Sequence, residues 1–117
     1  MDPFVHYAIA RSDQAKTDGG IEVEKLNANR LGIIWASGIG GLDTFFKEVM
    51  DFSKTKVPRF NPFFIPKMII DISAGHLSIR YGFKGLNFSV VSACASSTNA
   101  MIDAFNYIRL GKADIIL

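Results

Sequence analysis

"LNFSVVSACASSTNAMIDAFNYIRLG", residues 86–111, decides how this chain folds. Leu86, Phe88 and Val90 alternate with Asn87 and Ser89, the two-residue period of a strand with unlike faces. Ser96, Ser97, Thr98 and Asn99 then supply capping oxygens, and Met101, Ala104, Phe105 and Ile108 form an apolar stripe at helical spacing that stops before Gly111. A strand therefore runs into a helix from about Ala95 to Leu110, and the only cysteine, Cys94, stands at the turn between them.

A thiol attacks as its thiolate, and the unpaired amides and dipole of a helix N-terminus favour negative charge. Ala93 and Ala95 leave room for an acyl group, and the nucleophile's own N–H can face a developing oxyanion. These are the parts of a nucleophile elbow built on cysteine. The same small, apolar surroundings also suit an inert core cysteine, so the local pattern leaves both readings open. The chain offers two histidines as partners, His6 in the first turn of a helix and His76 on an apolar helical stripe, and both positions suit structural histidines.

Working outward, Asp2 and Pro3 read as the N-cap and first position of a helix that continues to Gly19-Gly20. "RLGIIWAS" (30–37) is a buried strand entering the glycine-rich turn "SGIGG", and "LDTFFKEVMDF" (42–52) is helical. "SKTKVPRFNPFFIP" (53–66) holds three of the four prolines and reads as a loop whose aromatics must pack on something. From Pro66, the spacing of Ile69, Ile72, His76 and Ile79 predicts one helix capped by Gly82, with Ala74 and Gly75 small enough for another backbone to come close. "ADIIL" (113–117) starts like a buried strand and then ends, which suggests a truncated chain. Alternating helices and strands imply an α/β layered fold, without internal repeats.

Composition excludes several classes. At 117 residues, 49% hydrophobic and 21% charged, the chain has the size and balance of one globular domain. Thirteen basic against eleven acidic residues give a net charge of +2, too little to argue for nucleic acid or an anionic membrane. No apolar run reaches the eighteen or so residues of a membrane span, and a single cysteine makes no intrachain disulfide, so a cytoplasmic protein is the default expectation.

Five segments, in order and in register, carry a family resemblance: "SGIGGL" (37–42), "PRFNPFFIP" (58–66), "AGHLSIRYGFKG" (74–85), "SACASS" (92–97) and "GKAD" (111–114). Together they resemble the β-ketoacyl-acyl-carrier-protein synthases, nearest the condensing enzyme II type. The resemblance implies an α/β thiolase-like layered fold, of which residues 1–117 would be part of the N-terminal half, and a homodimeric enzyme. The first strand of that fold would lie upstream, and the second half downstream of Leu117.

Position by position, the resemblance makes Cys94 the acyl-accepting nucleophile. The acyl chain arrives on the phosphopantetheine of acyl carrier protein, and decarboxylation of malonyl-carrier protein supplies the carbanion that attacks it. No resident cofactor or metal is implied. Ile39 matches the residue limiting acyl-chain reach, and Phe64 an aromatic lining the tunnel near the dimer interface. Arg59 matches a basic residue that meets the acidic carrier protein, with Lys54 and Lys56 nearby to extend the patch. The family's two catalytic histidines, its lysine and its gating phenylalanine have no counterparts in these residues, and His76 matches the non-catalytic histidine of the "AGHL" helix. Ser92 stands where the family often has Thr, which keeps the hydroxyl. Chain-length-factor relatives carry Gln in place of the nucleophile, so Cys94 favours a condensing subunit. A non-catalytic thiolase-fold partner binding acyl chains or carrier protein is the alternative, and a cysteine hydrolase using His6 or His76 a third.

Overall fold

The computed structural model describes residues 1–55 and 59–117. The elements run α1 (Pro3–Asp18), β1 (Leu31–Ala36), α2 (Leu42–Thr55), α3 (Phe64–Met68), α4 (Ile72–Tyr81), β2 (Asn87–Val90), α5 (Ser96–Arg109) and β3 (Ile115–Ile116). The three strands form a parallel sheet in the order β2-β1-β3, with Ile33 opposite Asn87, Ala36 opposite Val90 and Leu31 opposite Ile115. As the central strand, β1 is apolar nearly throughout and buried from Leu31 to Ile34, as a parallel strand covered on both faces should be.

Leu31 and Ile33 share one face of β1 and join Ala8 of α1, Ala74 and Leu77 of α4, and Phe83 in the buried core. Stepping from β1 to β2 and then back across to β3 reverses direction. Right-handed crossovers therefore place α4 and α5 on opposite faces of the sheet. The edge strand β3 is tied at its base by Arg30, whose guanidinium donates to both carboxylate oxygens of Asp114 at 2.7 and 2.6 Å and to the Gly111 carbonyl. The "GKAD" segment thus anchors the last strand.

Three expectations need correction. The single helix from Pro66 to Tyr81 is two, because the Met68 carbonyl accepts from the N–H of Gly41 at 2.8 Å instead of continuing the helical ladder, and Ile69 turns extended. Second, α4 buries Ser73, Ala74 and Leu77, not the stripe of Ile72, His76 and Ile79; Ile79 is 83% exposed. Small Ser73 and Ala74 let α4 lie close on α1, whose Ala8 and Ser12 are also buried, and Leu77 is the large side chain that α4 turns inward. A Cβ on Gly75 would meet open space, so of the pair Ala74-Gly75 only Ala74 is packed closely.

Third, α5 docks by Ser96 and Ala100, leaving Met101, Phe105 and Ile108 exposed. On α2 no residue is buried, and Leu42, Phe45, Phe46, Val49 and Met50 are all open. The aromatics of the proline-rich segment pack on that helix: Phe60 stacks on Phe52 and Phe64, and Phe64 on Phe45, with centroids 5.4 to 6.3 Å apart. Among the described residues, no helix is long and apolar enough to cross a membrane.

Candidate active site

Strands β1 and β2 are parallel neighbours, so the turns that follow them emerge at the same edge of the sheet, where open α/β sheets place their ligands. Ser37–Leu42 follows β1, and Val91–Ala95 follows β2. A Cβ built on Gly38 would stand 3.9 Å from the Ala93 carbonyl, so the two turns face each other. Cys94 is exposed at the centre of a single 3-10 turn, Ala93–Ala95, that leads into α5. The strand-turn-helix read from the sequence is present, with the thiol at the open edge.

Backbone and side chains together hold this turn. Ala93 takes a φ of +49°, the left-handed region that a residue with a Cβ seldom enters. The Ser96 hydroxyl accepts from the Ser92 N–H and donates to the Ala93 carbonyl, both at 2.8 Å. Ala95 N–H donates to the Ser92 carbonyl, and Asn99 Nδ2 to the Ser92 hydroxyl at 2.7 Å. The expected capping by Ser96–Asn99 is therefore corrected. The N-cap is Ala95, which has no side chain to cap with, and Ser96 and Asn99 reach back to the turn instead.

Beside the turn lies a cavity of about 630 Å³ whose walls include Ile39, Leu42, Phe45, Ile69 and Val91. The glycines of the β1 turn make it possible. Gly40 has φ +91°, and a Cβ on Gly41 would stand 2.7 Å from Met68 Cα, so the turn can lie directly on the break between α3 and α4. The result is a mainly apolar hollow that reaches the turn after β2 at Val91, with Asp71 and Ser89 as its polar lining residues.

Ile39 lines this hollow. Half-buried Phe64 lies one layer behind, stacked on Phe45, and Phe45 itself forms wall. Phe45 was missed by sequence reasoning, although its place three residues after Leu42 on an amphipathic helix was a readable signal. Exposed Arg59 shares a hollow of about 350 Å³ with Glu48 and Asp51, so its surroundings are of mixed charge. Lys54 is exposed in the last turn of α2, about 18 Å along the helix from Leu42. Lys56 lies outside the described residues. His6 is exposed on α1 and His76 half-buried on α4; among the described residues neither hydrogen-bonds Cys94. The hydrolase reading thus gains no partner for its thiol. No group of three or more His, Cys, Asp or Glu side chains suited to a metal is present among the described residues.

The family model described as "Beta-ketoacyl synthase, N-terminal domain" matches residues 1–117. The chain is 40% identical over 121 aligned residues to a 3-oxoacyl-[acyl-carrier-protein] synthase 2 of Staphylococcus aureus, and 38% identical over 118 to one of Rhizobium meliloti (strain 1021). All of this chain is covered in both, but it spans only 29% and 28% of their lengths. Among solved structures, it superposes with a TM-score of 0.89 and 25% identity on a chain from a type II PKS acyl-carrier protein in complex with its ketosynthase bound to the hexaketide, covering 97% of this chain and 32% of that one. A Beta-ketoacyl synthase from Burkholderia phymatum STM815 gives a TM-score of 0.76 at 23% identity, covering 93% of this chain and 27% of that one, a likeness of fold. The α/β thiolase-like fold is that of these ketosynthases, and the chain belongs to the beta-ketoacyl synthase family through its N-terminal domain.

Proposed function

We propose that the protein is a β-ketoacyl-acyl-carrier-protein synthase of fatty-acid biosynthesis in which Cys94 accepts the acyl chain. The observation that carries this reading is the exposed thiol on the turn after β2, beside an apolar cavity lined by Ile39. The Cys94 thiolate attacks the thioester carbonyl of acyl-carrier protein, forming a new C–S bond and breaking the old one, and the phosphopantetheine leaves as a thiolate that takes up a proton from solvent. Malonyl-carrier protein then loses CO₂, and its carbanion attacks the Cys94 thioester. The new C–C bond expels Cys94 as thiolate, leaving a β-ketoacyl product two carbons longer.

In this reading Ile39 and the Phe45–Phe64 stack bound the acyl chain, while Arg59, with Lys54 and Lys56, meets the acidic carrier protein. The carrier-protein partner is supported by the relatives' described activity and by the neighbouring complex with an acyl-carrier protein. The cytoplasmic homodimer, the lack of a resident cofactor and the position of residues 1–117 as part of an N-terminal half rest on the family resemblance. The family resemblance assigns the histidine and lysine partners of Cys94 to parts of such enzymes that residues 1–117 do not match, and this chain spans under a third of its relatives' lengths. By itself it is expected to be inactive.

The test is to incubate the complete protein with acyl-carrier protein and map the acyl group by peptide mass spectrometry. Acylation is expected at Cys94, with condensation abolished in Cys94→Ala. A Cys94→Ala protein that still elongates acyl chains would overturn the reading. Acyl-chain or carrier-protein binding without acylation of Cys94 would favour the non-catalytic partner.

A further inference from the structure

We propose that Ser96 is a positioning residue for the Cys94 thiol, holding the peptide unit between Ala93 and Cys94 in a strained orientation. This rests on the reading of Cys94 as the acyl acceptor. The peptide group is planar, so the Ala93 carbonyl and the Cys94 N–H point in opposite directions from one rigid unit. By donating to that carbonyl at 2.8 Å, the Ser96 hydroxyl fixes where the Cys94 N–H points. That N–H is the backbone group available to a developing oxyanion.

The orientation has to be held. Ala93 at φ +49° is the only described residue other than glycine with a positive φ, and its Cβ disfavours that region. A serine in the first turn of a helix is ordinarily free to cap or to face solvent. Ser96 is instead 4% exposed, and its hydroxyl is used on both sides, accepting from Ser92 N–H and donating to Ala93. One side chain therefore spans the strained residue and sets the aim of the thiol that follows it.

The experiment uses the complete protein and follows the rate of Cys94 alkylation by iodoacetamide, mapped by mass spectrometry, together with kcat and KM for condensation. Ser96→Ala is expected to lower both the alkylation rate and kcat about tenfold while KM stays within about twofold, because the loss falls on alignment and not on substrate binding. Ser96→Thr, which keeps the hydroxyl, is expected to stay within about threefold. Glycine enters the left-handed region without help, so in an Ala93→Gly background the Ser96→Ala loss should shrink below about threefold. Wild-type rates in Ser96→Ala, or equal losses in both backgrounds, would overturn the proposal. So would misfolding of Ser96→Ala that Ala93→Gly does not repair. A condensing Cys94→Ala protein would instead overturn the underlying reading, whereas an inactive Cys94→Ala beside a fully active Ser96→Ala defeats only the role of Ser96.

Discussion

The carboxylate of Asp2 accepts the backbone N–H of Thr44 at 2.8 Å, tying the start of α1 to the first turn of α2. Its other oxygen accepts from Phe4 N–H at 3.4 Å, so one buried side chain caps two helices. Asp2→Ala is expected to destabilise the protein by about 2 kcal/mol, the upper end for a helix cap, because it orphans the Thr44 donor as well. Asp2→Asn keeps an acceptor and should lose about half as much. Denaturant midpoints at constant slope measure both. Equal midpoints for Asp2→Ala and wild type would show that the bridge carries no stability.

Gly41 supports the cavity by having no side chain. An added Cβ would stand 2.7 Å from Met68 Cα and 2.8 Å from the Lys67 carbonyl, backbone atoms that cannot swing aside. Gly41→Ala is therefore expected to cost about 1–3 kcal/mol, the range for overpacking, and to strain the Gly41–Met68 hydrogen bond that breaks the helix. Thermal unfolding of the variant checks this, and a gain in stability, as ordinary Gly→Ala changes in open positions give, would refute it.

Local signals in the sequence were enough for some features and not for others. Asp2-Pro3 at the head of α1, Gly82 at the tail of α4 and the strand-turn-helix around Cys94 are set by near neighbours, and all stand as read. The break at Ile69 comes from a hydrogen bond to Gly41, far upstream in the chain, which no local pattern carries. Apolar spacing misled on α4 and α5 because small residues, Ala74 and Ala100 among them, take part in their docking, with Leu77 beside them on α4, while Ile79 and Phe105 are left outward. For the candidate site, the position of Cys94 at the turn after β2 is carried by its near neighbours, whereas the Phe45 wall and the Ser96 tether depend on tertiary placement.

The cluster that joins α1 to α4 has a pH signature. Arg80 donates to both carboxylate oxygens of Asp13, and Tyr81 Oη donates to the same carboxylate at 2.6 Å. Burial, reinforced by that carboxylate, pushes the Tyr81 phenol from its usual 10.0 up to about 12. The folded state thus keeps a proton that the unfolded chain releases, so this stability is full below pH 10.0 and is lost as the pH rises to about 12. At the acid end, the hydrogen bonds from Arg80 and Tyr81 lower the Asp13 carboxyl, and its contribution fades as the pH falls below 3.8. Melting curves across the alkaline range should fall more steeply for wild type than for Tyr81→Phe. Parallel curves would contradict the account.

The apolar faces of α2 and α5 set the behaviour of the 117-residue chain in isolation. Phe45, Phe46, Val49 and Met50 on one helix, and Met101, Ile102, Phe105 and Ile108 on the other, form surfaces that soluble monomers seldom leave open. The isolated chain is expected to bind 8-anilinonaphthalene-1-sulfonate and to aggregate, with loosened tertiary packing. Analytical ultracentrifugation and dye fluorescence test this. A monodisperse monomer with a cooperative thermal transition would count against it.

Ile39 and Phe45 line one cavity, and changes in their size should act in opposite directions on acyl-chain selection. Ile39→Trp adds bulk beside the turn that carries Cys94, so long acyl chains should transfer at least about tenfold more slowly while short ones are little affected. Phe45→Ala removes a ring from the wall on which Phe64 stacks, which lengthens the hollow and should favour long chains relative to short ones. Because Phe45 is already 46% exposed, this truncation should cost less stability than the 3–5 kcal/mol typical of a core Phe→Ala. Competition between short and long acyl-carrier proteins for Cys94, read by mass spectrometry on the complete protein, gives the ratio for each variant. Shifts of the same sign in both would mean that the cavity does not hold the chain.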